Sequence, residues 1–160
     1  MIGDITILDQ SVMAGNGAKK YIVLAGATAI NAGEPVTKAL GAPSVTAMAT
    51  NKPVVATDFL AGIAATNSTQ TASLDGEVWV NQIIPGVVYL MDPNSAAAFD
   101  TQAEYDALVG DRVLIDLTAG KYTILATDGA TSGCVIEALD IAKYPGKVAF
   151  SFRQGVSYLS

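Results

Sequence analysis

The chain has 160 residues, enough for one domain with a substantial core and short for two. It is 51% hydrophobic and only 15% charged, yet its longest apolar runs, YIVLAGATAI and IIPGVVYLM, fall well short of the roughly 18 residues a membrane-spanning helix needs. A net charge of −6, with no basic cluster beyond Lys19–Lys20, argues against nucleic-acid binding, which needs a basic stripe to neutralise phosphate.

The polar remainder is mostly Thr, Ser, Asn and Gly, so the surface should be rich in small, weakly hydrated residues. Such a surface is cheap to desolvate and suits burial against partners, although an ordinary β-domain would share it.

Along the chain, MIGDITILDQ alternates, with Ile5 and Ile7 on one side and Asp4 and Thr6 on the other, before SVMAGNGAKK breaks the pattern. Residues 1–20 thus read as a first strand or as an extended N-terminal arm that adds to a neighbour's sheet edge. Residues 21–160 read as a single β-rich domain. An arm would carry Ile2, Ile5 and Ile7 to its partner. No basic region precedes an apolar stretch here, so a secretory signal is not expected.

YIVLAGATAI is β-branched, and Asn31, Gly33 and Pro35 mark a turn before another short strand. KPVVATDFLAGIAAT holds two apolar segments split at Thr57–Asp58. Residues 66–76 lack periodicity and end in Asp75–Gly76, a turn pair, so they read as a loop. EVWVNQIIPGVVYLMD reads as two strands joined at Pro85–Gly86.

DTQAEYDALVG is the one convincing helix, spanning about 100–109. Asp100 or Thr101 can cap it, Glu104 lies in its first turn and Gly110 stops it, with Ala103, Tyr105 and Leu108 as its apolar face. DRVLIDLTAGKYTILATDG is the clearest hairpin: Val113, Ile115 and Leu117 share one face, Tyr122, Ile124 and Ala126 another, and Gly120 lies in the turn. GCVIEALDI and KVAFSFR are further strands. Val148, Phe150 and Phe152 fall on one core-facing side of the last, and Gly155 then breaks it. The fold class is mainly β, a compact β-barrel or β-sandwich with one short helix.

Candidate chemistry is sparse. The chain has no histidine, so Ser/His/Asp and Cys/His triads cannot form within it. The lone Cys134 opens a strand with no base beside it and reads as a packed core thiol. No metal-ligand spacing or phosphate loop is present, and no cofactor is expected. Between residues 92 and 116 six acids (Asp92, Asp100, Glu104, Asp106, Asp111 and Asp116) meet only Arg112, most simply as a solvated face. In LDGEVW, Asp75 and Glu77 flank the only tryptophan, Trp79. An exposed ring beside these acids, with Tyr89 nearby in sequence, would suit a carbohydrate-binding β-sandwich, and the two carboxylates could serve a glycosidase-type reaction. A turn aspartate, an outward glutamate and a core or interface aromatic account for the same residues without either activity.

Three stretches carry a family resemblance. INAGEPVTKAL resembles the early hairpin of phage head-decoration sequences, FLAGIAATNSTQT is similar to the segment such proteins place before a Thr/Ser-rich loop, and PGKVAFSFRQGVSYL resembles a phage structural-protein terminus. Together they cover about half the chain. The chain therefore resembles the capsid decoration (cement) proteins of tailed bacteriophages. That resemblance implies a non-enzymatic virion protein, made in the host bacterial cytoplasm, that binds the outside of the shell and braces it. Its partners would be the major capsid protein and further copies of itself in a homotrimer. Another minor head or tail component is the nearest variant. In the final segment, Val156, Tyr158 and Leu159 would be candidate contacts with a neighbouring subunit.

Overall fold

The structure, a computed structural model, describes residues 6–7, 18–84 and 86–156. Ile2, Ile5, Tyr158 and Leu159, proposed from sequence as partner contacts, lie outside the described residues, as does most of the 1–20 segment. The fold is mainly β with one short helix, built from antiparallel sheets of which none closes into a barrel.

The first sheet runs β1 (Thr6–Ile7), β7 (Val88–Met91), β12 (Val148–Phe152), β11 (Cys134–Ile136) and β8 (Arg112–Val113) in spatial order. Thr6 and Ile7 pair with Leu90 and Tyr89 of the same chain. The second sheet runs β2 (Lys19–Val23), β6 (Gly76–Asn81), β5 (Leu60–Ala64), β3 (Pro35–Thr37) and β4 (Thr46–Ala47). It curls strongly. Just before β4, Ser44 forms a bridge to Ile22 on the far edge, and the Val45 N–H donates to the Ile22 carbonyl at 2.9 Å.

That curl requires close backbone approach. At Gly62 in β5, φ is +151°, and a Cβ would stand 2.0 Å from the Asn81 carbonyl oxygen of β6. The interior of the curl is filled by modest side chains, among them Val23, Val36, Val45, Val78, Val80 and Ala61.

The remaining two-stranded piece is the hairpin β9 (Ile115–Thr118) and β10 (Lys121–Ile124). Its connection has φ of +53° at Ala119 and +78° at Gly120, the two positive values a tight primed turn demands. The segment expected as one strand is in fact divided: Val113 pairs in the first sheet with Cys134, whereas Ile115 pairs in the hairpin with Ile124. Similarly, β2 stops at Val23, and Gly26, with φ of +73°, turns the chain where YIVLAGATAI suggested a longer strand.

The main core lies under the first sheet. Tyr89, Phe150 and Phe152 form a triangle of rings with centroids 5.2–5.8 Å apart. Cys134 is wholly buried in this core, and burial pushes its thiol pKa up. The outer side of β12 is covered as well, so all five of its residues are buried.

The helix α1 (Gln102–Leu108) meets this strand through Tyr105, whose hydroxyl accepts from the Ala149 N–H. Thr101 is its N-cap: its hydroxyl accepts from the Glu104 N–H, and the Glu104 carboxylate accepts from the Thr101 N–H, a reciprocal capping box. Tyr105 alone of the helix is fully buried. Leu108 is partly buried, but Ala103, expected on the apolar face, is exposed.

Candidate docking face on the curled sheet

From Lys20 onward β2 alternates, as does β6. Tyr21, Val23, Val78 and Val80 enter the curl, so Lys20, Ile22, Glu77 and Trp79 point outward. The register sets Lys20 opposite Trp79 and Ile22 opposite Glu77. Beyond the paired region, Leu24 continues the β2 row. Ile22 and Leu24 are each 47% exposed and Trp79 is 43% exposed, unusual for large apolar side chains at neighbouring positions.

The polar residues of the face are paired within it. Lys20 Nζ lies 3.0 Å from Glu77 Oε2 and 6.0 Å from the centre of the Trp79 ring. Both side chains of the ion pair are about half exposed, so it contributes little to stability, but it holds the long Lys20 side chain beside the indole.

The loop of residues 66–75 fixes the backbone behind the face. The Trp79 N–H donates to Thr66 Oγ1 and its carbonyl accepts from Ala65, while Glu77 exchanges bonds with Thr69 on both its N–H and its carbonyl. Asp75 Oδ1 accepts from the Ala25 N–H at 2.7 Å. Gly76 permits this packing, because a Cβ there would stand 2.0 Å from the Gln70 nitrogen. The ring of Trp79 is therefore presented on a backbone held from two sides.

The sequence candidates divide accordingly. Glu77 and Trp79 share the outward side of β6 and Asp75 immediately precedes that strand, and both carboxylates have partners, Asp75 in a loop closure and Glu77 in an ion pair. Tyr89 is no part of this surface: it is 1% exposed in the main core, where burial pushes its hydroxyl pKa up to about 12. Val156, expected as a contact with a neighbour, is fully buried, and its carbonyl accepts from the Leu60 N–H at 2.7 Å, so its side chain serves this chain's own core. The β1 backbone at Ile7 is paired to Tyr89.

Ile22 and Leu24 are the members of the face that sequence reasoning passed over. YIVLAGATAI looked like a continuous apolar strand, and the alternation became visible only once Lys20 and Tyr21 were seen to start it.

The acidic stretch is dispersed rather than gathered into a site. Asp92 bridges Lys121 and Lys147 at 2.7 Å each; burial opposes its ionisation, but the two ammonium groups outweigh it and hold the carboxyl below its ordinary pKa. Asp116 accepts from Thr118, Thr50 and Asn94, which likewise lowers its pKa. Among the described residues no three His, Cys, Asp or Glu side chains are placed to hold a metal ion, and no helix is long and apolar enough to cross a membrane. Comparison with known proteins finds no family model, no curated protein and no solved structure that matches this chain.

Proposed function

We propose that this chain is a non-enzymatic structural protein of a tailed-phage virion, which docks on the outer surface of the capsid and stabilises the shell as a trimer. The observation that carries the docking part is the outward face of β2 and β6, where Ile22, Leu24 and Trp79 stand exposed on a rigidly held backbone. A tryptophan flanked by aliphatic side chains and rimmed by a Lys–Glu pair has the make-up of a protein-binding hot spot. The assignment to a phage shell rests on the resemblance of residues 30–40, 59–71 and 145–159 to decoration proteins. A trimer would multiply a modest patch into firm attachment without new contacts.

The experiment is co-sedimentation of the purified chain with capsids of the encoding phage that lack it. The wild type should pellet with the shells, and the double variant Ile22→Asp, Trp79→Ala should remain in the supernatant while melting within about 1 kcal/mol of wild type. A wild-type chain that stays in solution at every shell concentration overturns the proposal.

One observation favours a second reading: Trp79 faces solvent beside Glu77, as a sugar-stacking ring does. Because Trp79 is the only tryptophan, its fluorescence reports the face directly. A saturable shift with oligosaccharides, and none with shells, would select the carbohydrate-binding module instead.

A further inference from the structure

A concave surface is lined jointly by the segment after β2, by β4 and by the β9–β10 hairpin. Two adjoining cavities of about 350 and 480 Å3 share Thr28, Ala47 and Leu117 as walls and so form one groove. Its walls are mostly small or aliphatic. At one end stands Glu34, which is only 6% exposed.

The Glu34 carboxylate has hydrogen bonds but, among the described residues, no ion-pair partner. Oε2 accepts from the Asn31 N–H at 2.8 Å and Oε1 from Asn31 Nδ2 at 3.0 Å, closing the turn between these residues. None of the ion pairs among the described residues includes Glu34. Two neutral donors leave lone pairs on both oxygens open, and a buried carboxylate is ordinarily matched by a cation. Turn closure alone would be served by an uncharged side chain. Nearby, the Tyr122 hydroxyl donates to the Met48 carbonyl at 2.6 Å, which leaves its oxygen free to accept. Burial first, and then the negative charge of Glu34, push the Tyr122 pKa up, so the field of the carboxylate reaches across this end of the groove.

We propose that this groove receives a cationic alkyl side chain, lysine or arginine, from the protein partner, with its charged head at Glu34 and its methylene stem along Leu117 and Ala47. The chemistry selects this class. At this end the Glu34 carboxylate and the Tyr122 hydroxyl offer acceptors with a single negative charge, while the Asn31 amide is turned to Glu34; this suits one ammonium or guanidinium better than a divalent ion needing several carboxylates. The small apolar walls suit the stem of a long basic side chain, whose carbons prefer such contact. The partner in question is the one in the docking reading above, on which the proposal rests.

The test needs no shell, so the two proposals fail separately. The full-length chain, labelled for backbone NMR, is titrated with N-acetyl-lysine methylamide and with its uncharged norleucine counterpart. The lysine compound should shift the amides of Thr28, Glu34 and Leu117 saturably, and the norleucine compound should not. Glu34→Gln, which keeps an acceptor for Asn31, should weaken the lysine response about tenfold or more. Ala29→Leu, at an exposed position on the groove wall, should block it with the charge intact. Asp140→Asn, an exposed carboxylate elsewhere, should leave it unchanged. Equal shifts by both compounds, a Glu34→Gln response like wild type, or an equal loss in Asp140→Asn would overturn the proposal.

Discussion

Tyr105 joins the helix to the first sheet by a pair of bonds whose removal should be measurable. Its hydroxyl accepts from the Ala149 N–H at 2.8 Å and donates to the Glu137 carbonyl at 3.0 Å, and the residue is fully buried. Ala149 belongs to β12, a strand buried on both sides, so water cannot replace the lost partner. Tyr105→Phe keeps the ring, including its edge contact with Phe99 at 5.6 Å, and deletes only the oxygen. The cost is therefore that of a buried donor and a part-buried acceptor left unmatched, about 2–3 kcal/mol in all. In a domain of 160 residues this corresponds to a fall in Tm of about 4–12 °C. Urea melts of wild type and variant, fitted with a common slope, give the difference directly. Tyr105→Ala should cost about 3–5 kcal/mol more, since loss of the buried ring also leaves a cavity. If Tyr105→Phe melted within about 0.5 kcal/mol of wild type, the helix would not be held through this hydroxyl.

Further outcomes concern other parts of the molecule. Gly62→Ala should destabilise by at least about 2 kcal/mol in the same melts, because its Cβ would meet the Asn81 carbonyl at 2.0 Å in a backbone conformation that L-residues avoid. Asp92 has its folded pKa below the unfolded value, so its contribution is present above about pH 4 and is lost as the pH falls through the lower folded value. Melts of Asp92→Asn across that window should show a flatter fall in stability with acid than wild type. Cys134 should react with a thiol reagent only as fast as the protein unfolds, since the buried thiol has a raised pKa; rapid labelling of the native chain would contradict its place in the core.

Legibility followed the strength of local signals. The helix was readable because capping residues, an acidic first turn and a terminal glycine coincide within eleven residues, and Thr101 proves to be the cap. The β9–β10 hairpin was readable for the same reason, since its alternation and turn glycine are contiguous. The partition of residues 113 and 115 between two sheets was not readable. A strand carries the same alternation whichever neighbour it pairs with, and only long-range pairing with Cys134 decides it. KVAFSFR shows a related limit. Period two separated Val148, Phe150 and Phe152 from Ala149 and Ser151, but could not show that the second face is buried too. Ser151 there finds its partner in Glu137, at 2.6 Å, so a residue that looked solvent-facing is buried and satisfied. At the candidate face, Trp79 and Glu77 were visible as a pair. Their meeting with Lys20 and Ile22 depends on a register set some sixty residues away in sequence.

The two cores divide the mechanical tasks of the fold. The main core carries most of the large rings and the sole cysteine, and it draws most of its members from strands late in the chain, with Met48, Leu60 and Ile63 from earlier segments. The curled sheet holds only Tyr21 and aliphatic side chains around Gly62, so its strands approach closely and leave little room to repack. That tightness matters for what stands on its surface. An exposed aromatic on a loosely packed strand must be ordered each time it binds, and the ordering cost is subtracted from affinity. Trp79 is spared most of it, because its backbone is bonded to Thr66 and Ala65 and its ring lies beside Lys20 before any partner arrives. β5 links the two regions: Leu60 and Ile63 enter the main core, while Ala61 and Ala64 enter the curl. β5 thus ties the sheet that carries the β2–β6 face to the aromatic core.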